Sequence, residues 1–425
     1  MADEFELLVR RVQELPAEVA AYEVRSYFDS LAPGDGLRLA EQRPDEVGSL
    51  DGAPAALRYR ANHLRLVAAR DRLRAAGSLG EHERKRLETL DELLTPVAQT
   101  EADASGNVVK VLRDRQFLAV EPDGRGRAVE VLGQLDRARN IAVLVPGMGN
   151  SLETLRGQVD RAELIRHEAG PGTAAVLWLD YDSPQGLREA ASKRAAIEAG
   201  PALRRFMAGL ETERLPEASV TLVGHSYGSD VVGQGMLQGV RVDRVVLTGS
   251  PGITKFVNQA SDFVPPPTRL YVERAPGDYV SYSEWHGPDP ATFPDAIRMA
   301  TNDETVSVHW HNEYYRQNSE ALRNIGRVVR GDLAHITTTD TTRAQESKLA
   351  LGISWADPLN NAAAVASKVY DGVVSLTKRP RNPAAGVATD GSRPARAAAD
   401  GSRPGRAASG TVAPGAARRS EGRGR

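Results

Sequence analysis

The 425-residue chain contains no cysteine, which excludes disulfides, a thiol nucleophile and thiolate metal sites. No apolar run reaches the roughly 18 residues of a membrane span, and the start, MADEFELLVRRVQEL, lacks the basic region and long apolar stretch of a secretory leader. These absences lead to the expectation of a cytoplasmic protein without a transmembrane segment. Net charge is nearly absent as well, with 54 Lys and Arg against 56 Asp and Glu. That balance is local. Residues 378–425 hold 11 basic and 3 acidic side chains, leaving 43 basic and 53 acidic for the rest, so the body is acidic and the tail basic. No Gly-x-x-x-x-Gly-Lys phosphate loop is present, and GMGNS falls short of a dinucleotide fingerprint, so no cofactor is implied.

What is present divides the chain into regions. Residues 1–105 are rich in Leu, Ala, Arg and Glu at helical spacing, as in ALRYRANHLRLVAARDRLRAAG, and are read as a helical N-terminal region. The polar stretch TEADASGN, Thr100 to Asn107, then gives way to QFLAVEPDGRGRAVEVLG, where two alternating runs flank Pro-Asp-Gly and predict a hairpin. Short, wholly apolar runs follow, IAVLVPG, TAAVLWLDY, SVTLVGHS, RVVLTGSPG and TRLYVERAPGD, mostly separated by helical patterns. Such alternation predicts an α/β domain over 106–340, with a mostly parallel sheet covered by helices on both faces. Residues 341–377 carry no clear signal. The Ala, Gly, Pro and Arg tail at 378–425, which repeats DGSRP, is expected to be disordered because it has too little apolar surface to offset its chain entropy. A solvated tail is favoured over one that contacts nucleic acid or an anionic surface.

The run VTLVGHSYGSDVVG places Ser226 between a strand pattern and a helix pattern, with Gly224 and Gly228 two positions to either side. A sharp strand-to-helix turn crowds those positions and lifts the serine out of the sheet, while the following helix points its positive end at the same spot. The arrangement suits a nucleophile for acyl transfer. On this elbow His225 is read as a wall of the site and not as its base.

The elbow and its surroundings resemble the α/β-hydrolase superfamily. More narrowly, GSLDGAPAALRYRANHL, VLVPGMGNSLETL, GHSYGSDVVG, LTGSPGI, RAPGDYV, HGPDP and HNEYYRQNSEALRNI together resemble a bacterial α/β-hydrolase family catalogued as a domain of unknown function, over about Gly48 to Arg330. The resemblance implies an oxyanion hole from the backbone N–H of Tyr227 and that of Met148 or Gly149. It also implies the chain order Ser, acid, His. Asp278, directly after the TRLYVE strand, fits the acid better than Asp180, Asp182 or Asp230, which are read as caps or surface carboxylates. The histidine of the family stands at the start of a His-x-x-Tyr block, here His311, with His309 and His286 assigned to the rim as substrate-binding candidates.

His309, His311 and Glu313 could suggest a metal cluster, but their spacing lacks the two-histidine helical geometry of zinc hydrolases, and no metal site is expected. The function expected is a serine hydrolase that cleaves an ester, thioester or amide of a small-molecule or lipid-like acyl substrate. The rival is a non-catalytic binding or assembly protein on the same scaffold.

Overall fold

The computed structural model describes residues 2–102, 108–263, 265, 269–303 and 306–356. The N-terminal helical spacing yields α1 (Ala2–Val12), α2 (Ala17–Asp29), α3 (Asp35–Gln42), α4 (Pro44–Ser49), α5 (Ala55–Ala75) and α6 (Glu81–Leu93). The helical run stops short of residue 105. β1 (Val97–Ala102) and β2 (Val108–Arg113) form an antiparallel ribbon of their own, with Val97 opposite Arg113. The polar composition of this stretch concealed the strands. The Pro-Asp-Gly signal does mark a hairpin, between β3 (Gln116–Glu121) and β4 (Arg127–Leu132).

The apolar runs become β5 (Asn140–Val145), β6 (Thr173–Leu179), β7 (Ser219–His225), β8 (Arg244–Thr248) and β9 (Arg269–Glu273). Between and after them lie α7 (Leu155–Ala169), α8 (Leu187–Ala190), α9 (Arg194–Glu211) and α10 (Tyr227–Leu237), followed by a short β10 (Ala296–Met299), α11 (Glu320–Arg330) and α12 (Arg343–Ala356). Eight strands make one sheet in the order β10-β9-β8-β7-β5-β6-β4-β3. The six from β10 to β6 are parallel, and the β3/β4 hairpin joins β6 antiparallel. β6 is buried at all of its positions, as a strand covered on both faces must be. α7 and α11 pack together over the sheet, α9 and α10 form a second pair, and α2 packs against α9.

The N-terminal helices divide between two cores. Residues of α1 to α4 with Ala53 and Ala61 form a separate apolar cluster, whereas Leu66 and Ala69 of α5 and Leu90 and Leu93 of α6 join the core of the sheet. α5 also closes the sheet's edge. At the bulge in β3, Asn62 donates to the Phe117 carbonyl at 2.8 Å, Arg58 to that of Leu118 at 2.8 Å, and Arg65 to that of Val120. Carbonyls that would face outward from an edge strand are thereby satisfied by side chains. The tail expected at 378–425, and most of the 341–377 segment, lie outside the described residues.

Candidate active site

The loops that follow β5, β7, β8 and β9 meet at the ends of the parallel strands, the usual place for a site in such sheets. Ser226 caps the start of α10 with φ +56° and ψ −128°, a strained conformation for a residue with a side chain. Its N–H donates to the Thr248 carbonyl on β8 at 3.0 Å, which fixes the turn. A Cβ at position 228 would collide with the carbonyl oxygens of Val145 and Pro146, so that position requires glycine, and one at 224 would sit a tight 3.0 Å from the Ser229 Cα. Gly147 lies against Ser226 from the other side, where a Cβ would come within 2.7 Å of the serine Cβ.

The structure brings Ser226, His311 and Asp278 into one hydrogen-bonded line. Ser226 Oγ is 2.7 Å from His311 Nε2, and His311 Nδ1 is 2.9 and 3.0 Å from the two Asp278 oxygens. Asp278 is buried and accepts further bonds from the Tyr314 hydroxyl at 2.6 Å, the Ser281 hydroxyl at 2.8 Å and the Val280 N–H at 3.1 Å. Burial alone would raise its pKa. The His311 charge and the bonds from His311, Tyr314 and Ser281 overcome that effect and hold the carboxyl well below the usual range. It is therefore ionised at neutral pH and fixes His311 as the Nδ1–H tautomer, leaving Nε2 facing the serine.

Around this line the expected residues take different places. His225 is buried, and Arg161 Nη1 approaches its Nδ1 at 3.4 Å while its Nε2 meets the His311 carbonyl at 2.9 Å. Nε2 therefore donates. Burial, and then the Arg161 and His311 charges, push its pKa well below the ordinary imidazole value, so it stays neutral and supports the backbone of His311. His286 is corrected from rim to interior: it is 1% exposed, with Nδ1 2.8 Å from Asp230 Oδ2 and Nε2 2.8 Å from the Ala190 carbonyl. Asp230, in turn, is a buried partner and not a surface carboxylate. His309 is half-buried, and its backbone N–H donates to Glu313 Oε2 at 2.9 Å, so Glu313 closes a local turn. Among the described residues no cluster of three or more His, Asp or Glu side chains is arranged to hold a metal ion.

Of the expected oxyanion donors, Gly149 is corrected: its N–H is already committed to the Pro184 carbonyl at 2.7 Å. The Met148 N–H enters no backbone bond among the described residues, and the Tyr227 N–H stands in the first turn of α10, where amides have no intrahelical partner. The loop carrying Met148 is anchored through the Gly147 carbonyl, which accepts from Asn150 Nδ2 at 2.8 Å, Ser183 Oγ at 2.9 Å and the Tyr181 hydroxyl at 3.2 Å. Sequence reasoning missed these anchors and Tyr314. The spacing of Tyr314 three residues after His311 was a usable signal, while the Ser183 and Tyr181 contacts carried none.

The loop bearing Asp278 is held from behind. Arg274, 4% exposed, binds Asp289 and, at 2.9 Å, Glu346 of α12, which also accepts from the Tyr282 hydroxyl at 2.7 Å. A cavity of about 1260 Å³ lies elsewhere, near the starts of β5 and β6 and lined by Val97, Arg115, Glu130, Arg166 and Thr173 among others.

This sheet order, with a strained serine after β7 and a hydrogen-bonded acid and histidine after later elements, is the α/β-hydrolase fold. Residues 121–286 match the family model described as alpha/beta hydrolase. A Mycobacterium tuberculosis protein described as uncharacterized is 27% identical over 376 residues, which cover 75% of this chain and 57% of the relative. A second, from Mycobacterium bovis, is 34% identical over 134 residues, or 28% of this chain and 50% of the relative. The chain thus spans somewhat over half the length of the first of these. Solved structures with a similar arrangement include an esterase of the bacterial hormone-sensitive lipase family, 15% identical with a TM-score of 0.34, covering 63% of this chain and 97% of that one. Another is the esterase LipW of Mycobacterium marinum, 11% identical with a TM-score of 0.31, covering 63% and 90%. No helix among the described residues is long and apolar enough to cross a membrane.

Proposed function

We propose that the protein is a serine hydrolase that cleaves an ester, thioester or amide through an acyl-enzyme. The observation that carries this reading is the line from Ser226 Oγ to His311 Nε2, with Asp278 on the other ring nitrogen. Ser226 attacks the acyl carbon as His311 takes its proton, and the leaving group departs with that proton from Nε2. Water then enters by the reverse relay and releases the acid. Asp278 stabilises the imidazolium at each step, and the N–H groups of Tyr227 and Met148 are the proposed donors to the oxyanion. The buried, multiply hydrogen-bonded carboxylate supports the catalytic reading over that of a scaffold protein, which has no need of an ionised acid aimed at a histidine.

The test is labelling with a fluorophosphonate probe together with turnover of a short-chain nitrophenyl ester. Wild type should label and turn over, and Ser226→Ala should lose both, with turnover falling by about 10³-fold or more. Undiminished labelling of the variant would remove Ser226 from the mechanism.

A further inference from the structure

Arg161 on α7 lies half-buried beside the site, and its surroundings differ from those of the arginines that pair with acids. Its Nη1 approaches Gln158 Oε1 at 3.5 Å and His225 Nδ1 at 3.4 Å, and its Nη2 approaches Asn312 Oδ1 at 3.4 Å. The guanidinium carbon stands 5.4 Å from the Tyr315 ring centroid. All of these partners are neutral and all of the bonds are long. Among the described residues no carboxylate forms an ion pair with Arg161, and Nε has no hydrogen-bond partner.

Elsewhere the same side chain is used differently. Arg115 sets Nε and Nη2 on the two oxygens of Glu130 at 2.7 and 2.6 Å, Arg166 on those of Glu163 at 2.8 and 2.5 Å, and Arg214 on those of Glu211 at 2.7 and 2.7 Å. That edge is the fork that matches a planar carboxylate. In Arg161 it is engaged only by one amide oxygen, at long range. Burial lowers its pKa, opposed only by the Tyr315 phenol and by no carboxylate, so the cation lacks a carboxylate counter-charge.

Its position supplies the reason. His225 adjoins Ser226 in the chain, Asn312 adjoins His311, and the His225 and His311 rings lie 5.1 Å apart. Arg161 touches the chain neighbours of both the serine and the histidine, so an anion docked on it lies beside the reacting groups.

We infer that the Nε/Nη2 edge of Arg161 is an anion-recognition point of the active site, taking a carboxylate or phosphate group that the substrate carries near its scissile carbonyl. The inference deepens the hydrolase reading and rests on it. It makes the substrate class an anionic ester, thioester or amide, selected because its charge meets the Arg161 cation that no carboxylate pairs.

The test compares matched nitrophenyl esters of equal length ending in a methyl, a carboxylate or a phosphate group, with wild type, Arg161→Gln and Arg161→Lys. Wild type should prefer one of the anionic esters over the neutral one by about tenfold or more in kcat/KM, and Arg161→Gln should bring that ratio to near one, chiefly through KM. Arg161→Lys, which keeps the charge and loses the fork, should fall between them. A pure positioning role through His225 would lower all three esters by one factor and leave the ratio unmoved, which would overturn the inference, as would a wild type that cleaves the neutral ester with no anionic preference. A second arm needs no turnover. Glutarate or inorganic phosphate should raise the Tm of wild type and not of Arg161→Gln, and equal shifts in the two proteins would count against the site even if no ester is cleaved. Absence of both labelling and turnover would count against the hydrolase reading instead.

Discussion

The protein contains two histidine–aspartate pairs of nearly the same length, set in different surroundings. His311 meets Asp278 at 2.9 Å and His286 meets Asp230 at 2.8 Å. The first pair keeps its other ring nitrogen for Ser226, and the His311 side chain is 17% exposed. The second closes its other nitrogen on the Ala190 carbonyl and is sealed from solvent. Because both nitrogens of His286 face acceptors, the pair ties the elbow helix α10 to the loops after β6 and β9. A histidine–aspartate pair is therefore closed as a structural tie or left open to the proposed proton relay according to what its second nitrogen faces.

Substitutions should separate the two. The largest effect expected is His311→Ala, which should lower ester turnover by several orders of magnitude, on the scale of losing the nucleophile, with little change in Tm. Asp278→Asn should follow, at about 10³-fold or more in kcat, because an amide cannot stabilise the imidazolium and favours the wrong tautomer. His286→Ala should act on stability, costing about 3–5 kcal/mol in a urea titration because it leaves the Asp230 carboxyl buried without its partner. A collapse of turnover at unchanged stability would erase the distinction between the pairs. His309→Ala, a change at the edge of the histidine loop, should cost tenfold or less in turnover, and a larger loss than that of His311→Ala would transfer the role of base to His309.

The smallest effect sharpens the contrast with a carboxyl that has no histidine. Glu273, at the end of β9, is fully buried, and neither oxygen has a hydrogen-bond partner among the described residues. Burial, and then the nearby Glu320 charge, raise its pKa well above the usual value, so it is protonated in the folded state. An acid whose folded pKa is raised contributes stability below its unfolded pKa, near 4.5, and loses it as pH rises toward the folded value. Glu273→Gln, neutral at every pH, should match wild type near pH 4. Above pH 4.5 it should become relatively more stable, by at most about 1.4 kcal/mol per pH unit until the folded pKa is reached. Parallel stability curves for the two proteins would rule out a neutral Glu273.

Legibility in the sequence followed locality. The elbow could be read because its glycines, serine, strand and helix are contiguous, and the parallel sheet because each apolar run declares itself. Asp278 and His311 could be named only through resemblance, since nothing within their own segments shows that the two loops converge. The second pair was missed for the same reason: His286 sits among Gly-Pro-Asp-Pro, a loop composition, yet Asp230 and the Ala190 carbonyl enclose it. Gly149 was misassigned because sequence shows a flexible loop but not the Pro184 carbonyl that already occupies its N–H. Arg58 and Asn62 lie within a block that carried the resemblance, with Arg65 just after it, and their use, capping the carbonyls of β3, depends on an edge that exists only after the sheet has formed.

The clamp of α12 on the loop behind Asp278 bears on where this domain can be cut. The segment matched by the family model ends at residue 286. A fragment with those limits would retain Ser226 and Asp278 but lose His311, Tyr314, α11 and the Glu346 carboxylate that Arg274 needs, and it would begin after most of β3 and the helix that covers it. Arg274 would then be left in the fragment without either of its two buried acids, Asp289 and Glu346. The stretch that similarity marks out is thus shorter than the stretch that can be moved intact, and a transplant or fusion that keeps the site should carry the chain from α1 through α12.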